Sequence, residues 1–217
     1  MTRISAIEHV SDYFDAGRFA LDLGDLVAFE TESQNPAKAT ELPRYLKEAM
    51  APRLRDMGFA CEIHPNPVQD AGPLLVAERI EDPARPTVLS YGHGDVIRAQ
   101  SDQWRDGLHP FRLVEEGDRL YGRGSADNKA QHLINMAALQ AVLDARGSLG
   151  FNCRIVIEMG EEMGSAGLST FCEANQAALK ADVLIASDGP RLQPDTPTMF
   201  MGARGGISFD LVVDLRD

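Results

Sequence analysis

The stretch PTVLSYGHGD, residues 86–95, contains the pattern that decides the fold of this chain. Its first part, Pro86 to Tyr91, is a compact apolar run of the kind that forms a buried strand. The run leads directly into Gly92-His93-Gly94-Asp95, so an imidazole and a carboxylate lie where the chain leaves the strand. The stretch therefore predicts a polar site at the end of a buried strand.

Two further β-rich runs end in the same way on acidic residues. Asn152 to Met159 is followed by Gly160-Glu161-Glu162, and Asp182 to Ala186 is followed by Ser187-Asp188-Gly189. Helical patterns separate the strands, and in α/β folds the site forms where loops leave the carboxyl ends of the strands. We predict a three-layer α/β/α sandwich with a mixed, largely parallel central sheet, and a site at one edge of that sheet.

The other predicted elements follow from the spacing of apolar residues. Helical periodicity covers Ile4 to Phe14, Phe19 to Phe29, Leu42 to Met57, Asn128 to Arg146 and Leu168 to Leu179. Further strands are predicted at Ala60 to His64, Leu74 to Ile80, Thr198 to Met201 and Ile207 to Leu215. We expect a loop rich in charge and glycine up to about Asp118.

The composition excludes several classes of protein. A net charge of −12 over 217 residues leaves no basic stripe for nucleic acid. No apolar stretch approaches the roughly 18 residues of a membrane span, and the N-terminus lacks the apolar core of a signal peptide. The cysteines, Cys61, Cys153 and Cys172, fit neither a zinc-knuckle spacing nor a disulfide framework. We expect reduced thiols and a cytoplasmic location.

Each candidate site residue also has a simple structural interpretation when it is taken alone. Asp127 could cap the following helix, Glu161-Glu162 could begin a helix, and Asp188 could form a turn. Asp95, two residues after His93, can approach the imidazole and fix its tautomer, as a metal-bound histidine requires. One of the two glutamates could bind a metal ion while the other takes a proton from metal-bound water. Together these residues favour a hydrolytic metal site over four unrelated turns.

The motifs resemble those of the M20 family of zinc metallopeptidases, which includes acetylornithine deacetylase, succinyl-diaminopimelate desuccinylase, carboxypeptidases and dipeptidases. The similarity runs from about Asp12 to the last residue. It is carried by five stretches in order: Gly92 to Val96, Trp104 with Pro110-Phe111, Tyr121 to Lys129, Glu161 to Leu168, and Ser187-Asp188-Gly189.

The resemblance implies a role for each polar residue. It implies that His93, Asp127 and Asp188 bind one zinc ion and that Asp127 bridges to a second ion held by Glu162. Glu161 is the general base by this resemblance, and Asp95 orients His93. Two Zn²⁺ ions are expected, although Co²⁺ or Mn²⁺ also suits mixed histidine and carboxylate ligands. The family further implies a cis peptide bond between Asp127 and Asn128.

The same resemblance implies hydrolysis of an amide bond in a small peptide or an N-acyl amino acid. It divides the chain into an incomplete catalytic domain, residues 1–203, and the start of a lid or dimerisation domain, residues 204–217. A second histidine ligand is missing, so we expect the N-terminal part of a longer, homodimeric enzyme, with weak or no activity in this chain alone. The alternative is a non-catalytic metal-binding or interaction domain. A nucleotide-binding domain would need a phosphate loop, which the sequence lacks.

Overall fold

The computed structural model describes residues 3–189, 191–193, 195–200, 202, 205, 207 and 209–213. The strands found there are β1 (Ala60–His64), β2 (Leu74–Arg79), β3 (Thr87–His93), β4 (Val114–Glu116), β5 (Arg119–Tyr121), β6 (Asn152–Glu158) and β7 (Val183–Ala186). Five of them form the central sheet in the order β1-β2-β6-β3-β7, and β4 and β5 form a separate hairpin.

The central sheet has an antiparallel half and a parallel half. β2 pairs antiparallel with both β1 and β6, while β3 pairs parallel with both β6 and β7. The predicted mixed sheet is confirmed, with parallel pairing confined to β6, β3 and β7. In this register His93 lies opposite Glu158, and Tyr91 lies opposite Ala186. The carboxyl ends of the three parallel strands therefore meet at one edge of the sheet.

Helices cover both faces of the sheet, as the sandwich requires. They are α1 (Arg3–Asp15), α2 (Arg18–Val27), α3 (Glu41–Arg44), α4 (Ala51–Asp56), α5 (Lys129–Arg146), α6 (Leu168–Ala174) and α7 (Gln176–Leu179). One face of the sheet contributes Leu75, Ile155 and Ile157 to a core shared with α2, α4 and α5. The other face contributes Leu74 and Val156, which pack with residues of α6 and α7. The predicted three-layer architecture is confirmed.

Most predicted elements are present, but several boundaries differ. The predicted helix from Leu42 to Met57 contains a π-helical turn, Tyr45–Met50, between α3 and α4. The predicted helix from Leu168 to Leu179 is two shorter helices, α6 and α7. The β4–β5 hairpin spans the expected end of the loop near Asp118, and its two-residue turn places Gly117 at φ 62°. Because these strands are three residues long and highly charged, they show little alternation of apolar residues.

The two strands predicted after residue 197 are not observed at the positions that the structure describes. Thr198 to Phe200 forms no strand, and neither do residues 207 and 209–213. An apolar pattern becomes a strand only when the backbone groups find a partner, and these apolar side chains are largely exposed. Met201, Ser208, Asp214 and Leu215 lie outside the described residues, as do Ala203 and Arg204 at the predicted domain boundary. Among the described residues, no helix has the length and apolar composition needed to cross a membrane.

Candidate metal centre

His93 is a buried residue of the site and lies at the end of β3. Its side chain is fully buried, and its Nδ1 lies 3.1 Å from the backbone carbonyl oxygen of Asp95 and 3.3 Å from Oδ1 of the same residue. Both neighbours only accept hydrogen bonds, so Nδ1 carries the proton and donates it. The other ring nitrogen, Nε2, is therefore the one that is turned toward the site.

Three carboxylate groups face Nε2 of His93. Oδ1 of Asp127 lies 3.0 Å away, while Oε2 of Glu161 and Oδ1 of Asp188 each lie 3.8 Å away. Ligand atoms of His93, Glu161 and Asp188 lie within 4.8 Å of one another, close enough to hold a metal ion. The structure thus brings together residues from β3 and from the loops after β6 and β7, as the strand ends predict.

Asp95 connects the histidine to the loop after β6. Its buried carboxylate accepts the backbone N–H of Glu161 at Oδ1, 3.1 Å, and the N–H of Glu162 at Oδ2, 3.2 Å. These N–H groups begin the short 3-10 helix Glu161–Met163, where no intrahelical acceptor is available. The same carboxylate therefore orients both the imidazole and the pair of glutamates.

The charges of the site shift the pKa values of its members. Burial alone would lower the pKa of His93, but the hydrogen bond and charge of Asp95, with the charges of Asp188 and Asp127, raise it to about 9. Burial raises the pKa of Glu161, His93 lowers it, and Asp188 raises it again, which leaves it above its ordinary value. With this raised pKa the imidazole is positively charged at neutral pH, and the same concentration of negative charge is the environment that a divalent cation stabilises.

Glu162 occupies a different position from its neighbour. It is absent from the compact group of three ligands formed by the described residues, but burial and the negative charge of Asp127 raise the pKa of its carboxyl. Its backbone carbonyl accepts a hydrogen bond from Nε2 of Gln34 at 3.2 Å. The two glutamates therefore differ in the carboxylate that most affects their pKa, which is Asp188 for Glu161 and Asp127 for Glu162.

The two residues that follow Asp127, Asn128 and Lys129, fix the position of the loop that presents it. The peptide bond between Asp127 and Asn128 is cis, as the resemblance implied. Lys129 is fully buried, and its Nζ donates to the carbonyl oxygens of Leu26 and Phe29 at the end of α2. Each of these oxygens also accepts a backbone N–H, from Phe29 and Thr31 respectively, so the lysine is a second donor to both. Burial lowers the pKa of Lys129 to about 7.

Sequence reasoning did not identify the polar residues that support the site. Asn128 and His132 lie buried at the start of α5, and Tyr45 in the π-helical turn contacts the His132 ring. Glu158, at the end of β6, accepts hydrogen bonds from Tyr91 and Ser165. The one sign of these residues in the sequence was a polar side chain at a position that the spacing of apolar residues predicts to be buried.

Comparison with known proteins agrees with this geometry. The model of peptidase family M20/M25/M40 matches residues 89–204. The Beta-Ala-His dipeptidase of mouse is 31% identical over 97% of this chain and 45% of its own length. The cysteinylglycine-S-conjugate dipeptidase of Corynebacterium striatum is 32% identical over 91% of this chain and 42% of its own length. The chain thus spans less than half the length of these relatives.

A solved structure supports the same relationship. Human carnosine dipeptidase 1 superposes with a TM-score of 0.77 at 30% identity, over 85% of this chain and 41% of that one. The matched family segment contains His93 and every carboxylate described around it, and it covers more than half of the chain. On this ground the chain belongs to peptidase family M20/M25/M40.

Proposed function

We propose that this chain is the metal-binding part of a peptidase that hydrolyses an amide bond in a small peptide or an N-acyl amino acid. The observation that carries the proposal is the convergence of Asp127, Glu161 and Asp188 on the buried Nε2 of His93. The similarity to proteins named as dipeptidases supports a small peptide as the substrate.

The donor set fits divalent metal ions. A neutral imidazole nitrogen with several carboxylate oxygens suits zinc, and also cobalt or manganese. In this proposal His93, Asp127 and Asp188 hold one Zn²⁺, while Asp127 and Glu162 contribute to the site of a second. Bound ions would supply a water of lowered pKa and a Lewis acid for the amide carbonyl.

Glu161 is the proposed proton carrier. Its carboxyl is partly exposed, with 36% of the side chain accessible, and it lies beside the ligands His93 and Asp188. The raised pKa brings this carboxyl closer to neutral pH, where a group can both accept and return a proton efficiently. Glu161 would take the proton of the attacking water and return it to the leaving amine. Asp95 would hold Glu161 in place through the backbone N–H.

The remaining parts of the proposal concern the whole protein. We assign residues 1–203 to the catalytic domain and residues 204–217 to the start of a lid through which two subunits dimerise. A cytoplasmic location is in keeping with three free cysteines.

Metal binding is the first test. We expect equilibrium dialysis against Zn²⁺ to show binding by this chain, and His93→Ala to abolish binding at the first site. His109→Ala, at an exposed histidine outside the site, is the matched control and should bind zinc as the unmodified chain does. Equal zinc binding by the His93→Ala and unmodified chains would overturn the proposed centre.

The role of Glu161 is tested in the full-length protein with a panel of dipeptides and N-acyl amino acids. Glu161→Gln should lower kcat on the order of 10²- to 10⁴-fold, the usual contribution of a general base, with the zinc content unchanged. Glu162→Gln is the matched comparison and should lose zinc from the second site. Loss of zinc in Glu161→Gln would instead make Glu161 a ligand. Zinc binding without any cleavage by the unmodified protein would favour the non-catalytic alternative.

A further inference from the structure

The side chain of Asn128 lies fully buried beneath the candidate metal centre and contacts three separate parts of the chain. Its Oδ1 lies 3.2 Å from the backbone nitrogen of His93 and 3.3 Å from Nδ1 of His132. Its Nδ2 lies 2.6 Å from the backbone oxygen of Ser187 and 3.1 Å from Oδ1 of Asp188. One amide group therefore joins the ends of β3 and β7 to the start of α5.

The orientation of this amide is fixed by its neighbours. The backbone N–H of His93 can only donate, so it must face Oδ1 of Asn128. The carbonyl oxygen of Ser187 can only accept, so it must face Nδ2, and Oδ1 of Asp188 accepts from the same nitrogen. A single orientation of the amide satisfies all four contacts, so the side chain links the two strand ends in a fixed geometry.

The His132 ring reinforces that orientation from the opposite side. Because Oδ1 of Asn128 is an acceptor, Nδ1 of His132 must carry the proton, and its Nε2 then accepts from the hydroxyl of Tyr45 at 2.7 Å. Burial, together with the charges of His93 and Lys129, lowers the pKa of His132 to about 3, so the ring stays neutral in this role. The chain Tyr45–His132–Asn128 is thus a buried hydrogen-bond network that ends on residues of the metal centre.

We propose that Asn128 is a positioning residue that sets the separation of His93 and Asp188 for metal binding. The inference rests on the metal centre proposed above. The atom that Asn128 holds, Oδ1 of Asp188, is the same atom that lies 3.8 Å from Nε2 of His93. Oδ1 of the same amide also accepts a hydrogen bond from the backbone N–H of His93. It therefore acts on two of the proposed ligands without being a ligand itself.

Removing the amide should loosen both proposed ligands at once. In Asn128→Ala the carboxylate of Asp188 loses a donor, and the end of β7 loses its connection to α5 and β3. Groups that orient metal ligands typically contribute 10- to 100-fold to metal affinity. We expect Asn128→Ala to weaken Zn²⁺ binding by on the order of 10- to 100-fold.

Asn135 provides a matched control on the same helix. Its Nδ2 donates to the hydroxyl of Ser187 at 2.9 Å, so it also connects α5 to the end of β7. Its side chain bonds to the hydroxyls of Ser187 and Ser90, and neither residue is a proposed ligand. Asn135→Ala should lower thermal stability in EDTA, but it should change the zinc affinity by much less than the roughly 10- to 100-fold effect of a group that orients a ligand.

The experiment measures Zn²⁺ affinity by competition with a chromophoric chelator, and thermal unfolding in EDTA, for the unmodified chain and the two variants. The Co²⁺ absorption spectrum, which reports ligand geometry, should change in Asn128→Ala and stay unchanged in Asn135→Ala. If Asn128→Ala does not fold, Asn128→Ser is used in the same assays, because serine is too short to reach Asp188.

The outcomes separate this inference from the proposal on which it rests. Unchanged zinc affinity in the Asn128 variant, together with loss of binding in His93→Ala, would overturn the positioning role and leave the metal centre intact. Equal loss of affinity in the Asn128 and Asn135 variants would also overturn it, because the effect would then follow general stability. Unchanged binding in His93→Ala would reject the metal centre itself.

Discussion

His93 and His132 show how far the pKa values of two histidines in one site can differ. Both rings are buried, and both contact Asn128, His93 through its backbone and His132 through its side chain. Carboxylates surround His93 and raise its pKa to about 9, whereas His132 faces a phenol and an amide, and its pKa falls to about 3. Burial acts on both rings in the same direction, so the neighbouring charges decide which histidine becomes an imidazolium.

The low pKa of His132 predicts a loss of stability in mild acid. The unfolded chain binds a proton on this histidine near pH 6.5, but the folded chain does so only near pH 3. The free energy of unfolding therefore falls as the pH drops below about 6.5. We expect the His132 contribution to fall by about 2 kcal/mol between pH 7 and pH 5.

Urea unfolding in EDTA at pH 7, 6 and 5 measures this contribution as a difference between two chains. The unmodified chain should lose about 2 kcal/mol more than His132→Gln over that range. His109→Gln, at an exposed histidine, is the matched control for replacing an imidazole. Parallel pH profiles for the unmodified chain and His132→Gln would contradict the neutral, buried ring.

At the scale of elements, the turn from Gly160 to Ser165 determines where the two glutamates point. Asp95 binds its beginning through two backbone N–H groups. The hydroxyl of Ser165 donates to the buried carboxylate of Glu158 at 2.8 Å, which holds its end. Tyr91 of the neighbouring strand β3 donates to the same oxygen at 2.6 Å. The turn is therefore fixed to both β3 and β6, and this fixes Glu161 beside His93.

The end of β3 tolerates no side chain at Gly94. A β-carbon there would collide with the ring of the buried Tyr45 and lie 2.8 Å from Sδ of Met159. Overpacking of this kind typically costs about 1–3 kcal/mol. We expect Gly94→Ala to lower the free energy of unfolding by about 1–3 kcal/mol, measured by urea unfolding.

Gly24 in α2 is the matched control for that substitution. A β-carbon at this position would meet Leu113 at 3.8 Å, an ordinary van der Waals contact. Alanine is favoured over glycine inside a helix by about 1 kcal/mol, so Gly24→Ala should leave stability unchanged or raise it. A Gly94→Ala chain as stable as Gly24→Ala would show that the region around Tyr45 can move aside.

At the scale of the whole molecule, β7 forms an exposed edge of the central sheet. Among the described strands its only neighbour is β3, so its other side has backbone groups free to pair. Its side chains are apolar and largely exposed, with Leu184 at 63% and Val183 at 51%. An exposed apolar edge strand promotes association between molecules.

The exposed edge at β7 predicts that a charged substitution in this strand reduces self-association. Leu184→Lys should reduce concentration-dependent self-association in sedimentation velocity, because a lysine on an edge strand opposes pairing with another chain. Leu21→Lys is the matched control, since Leu21 is also exposed, at 71%, but lies on α2. Equal association of both variants and the unmodified chain would place the contact elsewhere.

The sequence by itself determined the order of the elements and the residues at the strand ends. The periodicity of apolar residues acts over about ten positions, so it predicted β1, β2, β6 and the long helix α5 closely. Because parallel strands align their carboxyl ends, it also predicted that His93, Glu161, Glu162 and Asp188 would lie together. His93, Glu161 and Asp188 form a compact group there, and Glu162 is not part of it. The β4–β5 hairpin and the division of predicted helices escaped prediction from the sequence, because short polar elements carry a weak periodic signal.

Only the tertiary structure decided how those residues are held. The bonds from Asn128 to Ser187 and Asp188 span 59 and 60 positions, and the bonds from Asp95 to Glu161 and Glu162 span 66 and 67. No local pattern encodes such contacts, since they depend on which strands become neighbours in the sheet. The different surroundings of the adjacent residues Glu161 and Glu162 also depend on the tertiary structure. Adjacent residues receive different surroundings only when a fixed turn points them toward different partners.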